Sequence, residues 1–152
     1  MPSADAPSHQ VARAEDEATI LALMREFYAE EHLAFDELLT PHAVRELLSH
    51  PQSGLILLFK SAGTVVGHAT ITFGFSLEFH GRYALLDELY LIPSVRGRGW
   101  GRHGLSLAAT TARAHGVATL RLEVNHANAR ARAVYLKAGF QDDQRTLFTQ
   151  WL

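Results

Sequence analysis

Cysteine is absent from this 152-residue chain. Disulfides, thiolate metal sites and any route that passes an acyl group through a cysteine sulfur go with it. Lysine is scarce too: twelve arginines stand against only Lys60 and Lys137. No apolar run approaches the ~20 residues that span a bilayer. Residues 1–10 lack the basic and apolar regions of a signal peptide, so a cytoplasmic location is expected. The formal net charge of −2 gives no general field for nucleic acid or an anionic membrane, and neither is expected as a partner. The nine histidines are scattered and form no His-x-x-x-His pair, so no metal is implied.

What is present suits an ordinary globular protein, 47% hydrophobic and 20% charged. The polar start, with Pro2 and Pro7, reads as a flexible N-terminus over 1–9, followed by a single domain over 10–152. A short strand at 10–12 precedes a helix in which Ile20, Leu23, Met24, Phe27 and Tyr28 recur at helical spacing. A second helix starts at Thr40-Pro41, with Thr40 as cap, and stops before Pro51. The apolar run 55–59 fits a strand buried on both faces, paired as a hairpin through Ser61-Ala62-Gly63 with a strand over 65–75. A strand at 83–92, a helix at 105–115, a strand at 120–124, a helix at 128–138 and a last strand at 146–151 complete the order. The expectation is an α/β fold with a mixed sheet and a βαβ unit between 83 and 124.

The chemistry concentrates in Arg96-Gly97-Arg98-Gly99-Trp100-Gly101-Arg102, between a strand and a helix. Glycines let backbone N–H groups converge on an anion, and a helix start adds its positive end. Arginine-rich composition is the plainer source of isolated arginines, but three in this loop are a local cluster of phosphate donors. Gly99-x-Gly101-x-x-Gly104 formally fits a dinucleotide fingerprint, with Glu123 beyond it. Against that, Pro93–Arg96 separate the glycines from their strand, and only about fifty residues follow, too few for half of a doubly wound sheet.

Arg96-x-x-Gly99-x-Gly101 resembles the Arg/Gln-x-x-Gly-x-Gly/Ala signature of the GCN5-related N-acetyltransferase (GNAT) superfamily. Leu86–Pro93 resembles the strand before that signature, Leu120–Asn125 the next strand, and Asn128 through Tyr135 to Gly139-Phe140 the closing helix. The resemblance spans about residues 55–150 and implies a fold of six to seven strands and four helices. It implies acetyl-CoA as co-substrate, with its pyrophosphate on Arg96, Gly97, Arg98, Gly99, Trp100, Gly101 and Arg102. It further implies main-chain contacts from Leu89, Tyr90 and Leu91 to the pantetheine arm, and a coenzyme contact from Asn128, which is equally an N-cap. Dimers are common among such relatives, so a homodimer is a candidate state.

Acetyl transfer to an amine needs a base for the amine and an acid for the departing thiolate. By the resemblance Tyr135 is the acid and also lies against the coenzyme; the competing role is packing between helix and sheet. Glu88, then Glu123, then Asp87 are the candidate bases, being acids set in strands. Asp87 and Glu88 face opposite ways in a regular strand, and a bulge would change which of them reaches the substrate. The acceptor surface would include Phe27, Tyr28, Glu30, Glu31, His32, Phe35, Asp36 and Glu37, with Phe75–Phe79 opposite. Acids interleaved with rings suit a cationic amine, of a polyamine-like or aminoglycoside-like kind. A peptide N-terminus or lysine, or a silent acyl-CoA-binding regulator, stays open as an alternative.

Overall fold

A computed structural model describes residues 7–152. The apolar run at 55–59 lies at the heart of a five-stranded sheet, because strands on both sides and helices on both faces remove it from water. In chain order the elements are β1 (Ser8–Val11), α1 (Glu17–Glu30), α2 (Leu39–Ser49), β2 (Gly54–Ser61), β3 (Thr64–Ser76), β4 (Gly81–Leu91), α3 (Trp100–Ala114), β5 (Leu120–Leu122) and α4 (Ala129–Lys137). Spatial order follows sequence order, with β1 to β4 antiparallel and β5 parallel to β4. The mixed α/β architecture and the β4–α3–β5 unit therefore match expectation. At the β2–β3 turn both Ala62 and Gly63 take positive φ, the mirror-image turn that matches the twist of paired strands.

Two cores follow from the alternation of side chains across the sheet. Leu55, Leu57, Phe59, Ala69, Ile71, Ala84 and Leu86 pack against Leu105, Ala108 and Ala112 of α3. Ile56, Leu58 and Tyr90 pack on the other face against Ile20, Leu23 and Met24 of α1 and Val44 of α2. Gly67 sits where β3 meets Leu91: a Cβ there would lie 2.3 Å from the Tyr90 carbonyl oxygen. Gly67→Ala is accordingly expected to force the two strands apart and destabilise folding by about 1–3 kcal/mol, read from the urea midpoint. An unchanged midpoint would show that the strands can separate freely.

Four sequence expectations need correction. The first helix after the glycine loop begins at Trp100, not at 105, so Gly101 and Gly104 are helical. Gly104 is tolerated there because a Cβ would meet Leu89 at 3.1 Å and Phe59 at 3.2 Å; the glycine lets helix and sheet approach. Thr40 does not cap α2. The Asp36 carboxylate does, accepting from the N–H groups of Leu38 and Leu39 at 2.8 and 2.7 Å. Ser8 and His9 of the expected flexible segment 1–9 belong to β1, while residues 1–6 lie outside the described residues.

The fourth correction concerns the sheet, which has five strands among the described residues and not six to seven. Thr146–Trp151 pairs with no strand among the described residues, although its residues suit a strand. Asp142 accepts from the N–H of Gln144, which takes φ 53°, and this turn diverts the chain just before the expected strand. Side-chain pairs then fix the approach, Arg121 to Asp143, Arg132 to Asp142 and Arg145 to Glu78. Strand propensity becomes a strand only where a partner edge is aligned, and Leu147, Phe148 and Trp151 stay exposed.

Candidate active site

The ladder between β3 and β4 carries one irregularity. Thr70 faces Glu88 but Ile71 faces Leu86, so Asp87 is an extra residue in β4. A regular strand would point Glu88 to the same face as Ala84 and Leu86, towards α3. The bulge reverses the alternation: Leu89 and Leu91 join the α3 side, while Glu88 and Tyr90 turn towards α1. One extra residue thus decides which acid enters the protein.

The same place is where β4 and β5 part. Ala84, Leu85 and Leu86 pair with Leu120, Arg121 and Leu122, and no later residue of β4 has a partner on β5. The β5-side edge of Leu89, Tyr90 and Leu91 is left open, in the position expected for main-chain contacts to an extended ligand. Two shallow hollows of about 390 and 130 Å³, at Gln10–Asp16 and at Ala109–Leu120, lie away from this opening.

Glu88 is 9% exposed, and its Oε1 lies 3.1 Å from Nε2 of the fully buried His68 on β3. Close to it is Tyr28 of α1, whose hydroxyl is pushed well above the ordinary tyrosine value by burial first, then by the Glu88 carboxylate and the charge of Asp87. Asp87 reaches solvent yet sits in a recess. Loss of hydration and the neighbouring charges of Glu88 and Glu123 push its carboxyl above the ordinary range. Glu123 is exposed just past β5, near enough for its charge to act on Asp87. Phe27 contacts Tyr28, His68 and Tyr90 by its ring.

Tyr135 lies on α4, half-buried, with its ring 6.0 Å from Phe140. Burial first, and then the Glu31 carboxylate, raise its hydroxyl above the ordinary tyrosine value, so it holds its proton at neutral pH. Tyr28 and Glu31, one turn apart at the end of α1, connect the surroundings of Glu88 with those of Tyr135. Phe75 is not part of this gathering. It is 71% exposed and five residues beyond Thr70 along β3, roughly 17 Å from the bulge.

At the loop, Gly97 and Gly99 take φ of 75° and 84°, and Gly99 caps α3 in a left-handed conformation. A Cβ on Gly97, Gly99 or Gly101 would meet nothing within 4 Å, so the helix start opens onto free space. A helix start presents its first backbone N–H groups and the positive end of its dipole, the arrangement that holds anions in general. Arg98 and Arg102 are exposed and join no ion pair among the described residues. Arg96 is differently placed. Its guanidinium binds both Glu30 oxygens at 2.8 Å and the Leu91 carbonyl at 2.9 Å, which pins the loop to α1. Trp100 is buried in the core beneath the loop, leaving its backbone to face the opening. Tyr90 is likewise buried; its hydroxyl, raised to about 12, donates to Glu26 at 2.9 Å. Asn128 caps α4, its Oδ1 accepting from the Ala131 N–H at 3.1 Å.

Sequence reasoning did not single out His68 as part of the site, nor the pairing of Arg96 with Glu30, although it named each of those two residues. A histidine inside the strand run 65–75 was a signal, but its match to Glu88 depends on the register and the bulge. The profile of the Acetyltransferase (GNAT) family matches residues 19–140. The chain is 27% identical over 132 residues to the uncharacterized N-acetyltransferase YhfO of Bacillus subtilis (strain 168), covering 87% of this chain and 88% of that one. Among solved structures, an integron cassette protein from the mobile metagenome of Cole Harbour Salt Marsh superposes with a TM-score of 0.84 at 30% identity, over 95% of this chain and 90% of that chain. A predicted acetyltransferase of Clostridium acetobutylicum, solved with acetyl-CoA, has the same fold at a TM-score of 0.80 and 17% identity, over 95% and 96% of the two chains.

Proposed function

The chain belongs to the Acetyltransferase (GNAT) family, and from that premise we propose that it moves an acetyl group from acetyl-CoA to a primary amine by direct attack in a ternary complex. The observation that carries this reading is the bulge at Asp87, which delivers Glu88 to the α1 side where β4 and β5 separate. Acetyl-CoA supplies the acetyl group as a thioester. The backbone N–H groups around Gly97–Arg102 hold its pyrophosphate, Arg98 and Arg102 add charge, and Leu89–Leu91 offer main-chain partners to its arm. Glu88 takes a proton from the ammonium, and the free amine so formed attacks the thioester carbon. As the N–C bond forms and the C–S bond breaks, Tyr135 gives its proton to the departing sulfur and is restored by the second proton leaving the nitrogen. With no cysteine to carry the acyl group, nothing competes with direct transfer by that route.

The acceptor in this reading is a small cationic amine, polyamine-like or aminoglycoside-like. Asp87, Glu88, Glu123 and Glu31 supply negative charge, and Phe27 and Tyr28 supply ring faces, both of which attract ammonium. The test is thiol release from acetyl-CoA across polyamines, aminoglycosides and short peptides. Saturable release with the small polycations is expected. Acetyl-CoA binding without release from any acceptor would overturn the reading in favour of a silent binding protein.

Tyr135→Phe separates catalysis from packing, since Phe keeps the ring against Phe140 and loses the proton. kcat is expected to fall at least tenfold, with the calorimetric affinity for acetyl-CoA changed by less than about threefold. Equal losses in both would assign Tyr135 to binding alone.

A further inference from the structure

Resting on the reading of Glu88 as base, we infer that His68 is the residue that positions it, by donating an Nε2–H hydrogen bond to one carboxylate oxygen and leaving the other for the amine. His68 lies wholly inside the protein, in the middle of β3, among Phe27, Tyr90 and the Glu88 carboxylate. Its Nε2 is 3.1 Å from Glu88 Oε1, and its Nδ1 is buried with no partner among the described residues. A bare ring lone pair in that place is less costly than a bare N–H. The tautomer with its proton on Nε2 therefore satisfies Glu88 and leaves only the lone pair at Nδ1.

With the proton at Nε2, the contact fixes a direction. A free glutamate on a strand has several rotamers. Glu88 is held through Oε1 from β3, with the Tyr28 hydroxyl of α1 as a second close polar neighbour. The bulge chooses the face, and His68 chooses the rotamer. A base must be held within hydrogen-bond reach of the proton it takes, and displacements of about an ångström are costly. His68 touches no acceptor in this arrangement. It acts through Glu88.

The groups that share this environment are Asp87 beside Glu88 on β4, Tyr28 on α1, Tyr90 on β4 with its partner Glu26 on α1, and Glu123 past β5. Of these, the Tyr28 hydroxyl also interacts with the Glu88 carboxylate, while the 3.1 Å contact at Oε1 is His68's. His68→Phe keeps the ring and removes the donor, whereas His68→Gln keeps an N–H donor of similar reach. For the Phe variant, kcat is expected to fall at least tenfold, with the KM of the amine changed by less than about threefold. The Gln variant is expected to recover most of the rate.

Purely structural burial of His68 would lower the amount of folded protein and leave kcat per folded molecule unchanged in both variants. That outcome, or a Gln variant no better than Phe, would overturn the inference. Should the Phe variant not fold, nitrogen-15 spectra of the wild-type histidines decide. A proton on His68 Nε2 is expected; a proton on Nδ1 would overturn it. Glu88→Gln measured alongside separates the two assignments. If that variant keeps full activity, the base assignment falls. If it loses activity while His68→Phe keeps its rate, only the positioning role falls.

Discussion

Glu88→Gln is expected to lower kcat/KM for the amine by about a hundredfold to ten-thousandfold, the range for loss of a positioned general base. The change is conservative in every other respect. A glutamine oxygen can accept the same hydrogen bond from His68 Nε2, and the side-chain volume is kept, so the inner end of the recess stays packed. The thermal midpoint should move by no more than about 5 °C. Asp87→Asn and Glu123→Gln provide the contrast. Both groups reach solvent, the charge of Glu123 acts on Asp87, and neither is held by a buried partner. Their loss weakens the field that draws a cation and is expected to raise the KM of the amine severalfold with little change in kcat. A large kcat loss in Glu123→Gln, with Glu88→Gln nearly normal, would move the base to the far side of the opening.

Gly101→Leu has the second large effect, and it falls on binding. A Cβ at Gly101 meets no protein atom within 4 Å, and its place in α3 is ordinary helix without positive φ. Leucine is a better helix former than glycine, so the free protein should be as stable as the wild type or more so, by up to about 1 kcal/mol. The added side chain fills the space in front of the helix start, where the pyrophosphate is proposed to lie. Affinity for acetyl-CoA is expected to fall at least a hundredfold, about 2.7 kcal/mol. Unaltered calorimetric affinity in a folded Gly101→Leu protein would remove the cradle from the loop. Gly99→Leu cannot serve as well, because φ of 84° strains any side chain and confuses folding with binding.

Much of this was readable from local chemistry. The buried run at 55–59, the hairpin at Ala62-Gly63 and the glycine-arginine loop each announce themselves through residue type and spacing. The features that decide the chemistry do not. The bulge at Asp87 is one residue in a register set between strands, and nothing in Leu86-Asp87-Glu88-Leu89 marks it. His68 and Glu88 are twenty positions apart and meet only because β3 and β4 pair as they do. The start of α3 was disguised by Gly101 and Gly104, poor helix formers, of which Gly104 is required by the closeness of Phe59 and Leu89. At 146–151 the reverse held: good strand residues found no aligned edge. Local pattern placed the glycine loop, while tertiary pairing aimed the acid.

The central claim is that acetyl passes from coenzyme to amine with no stop on the protein. Incubation with carbon-13 acetyl-labelled acetyl-CoA, followed by mass spectrometry of both the protein and a reactive polyamine, tests it most directly. Label is expected on the amine nitrogen in step with thiol release, with the protein mass unchanged before and after the amine is added. Label retained on the protein, or thiol released with no acetylated amine formed, would contradict it.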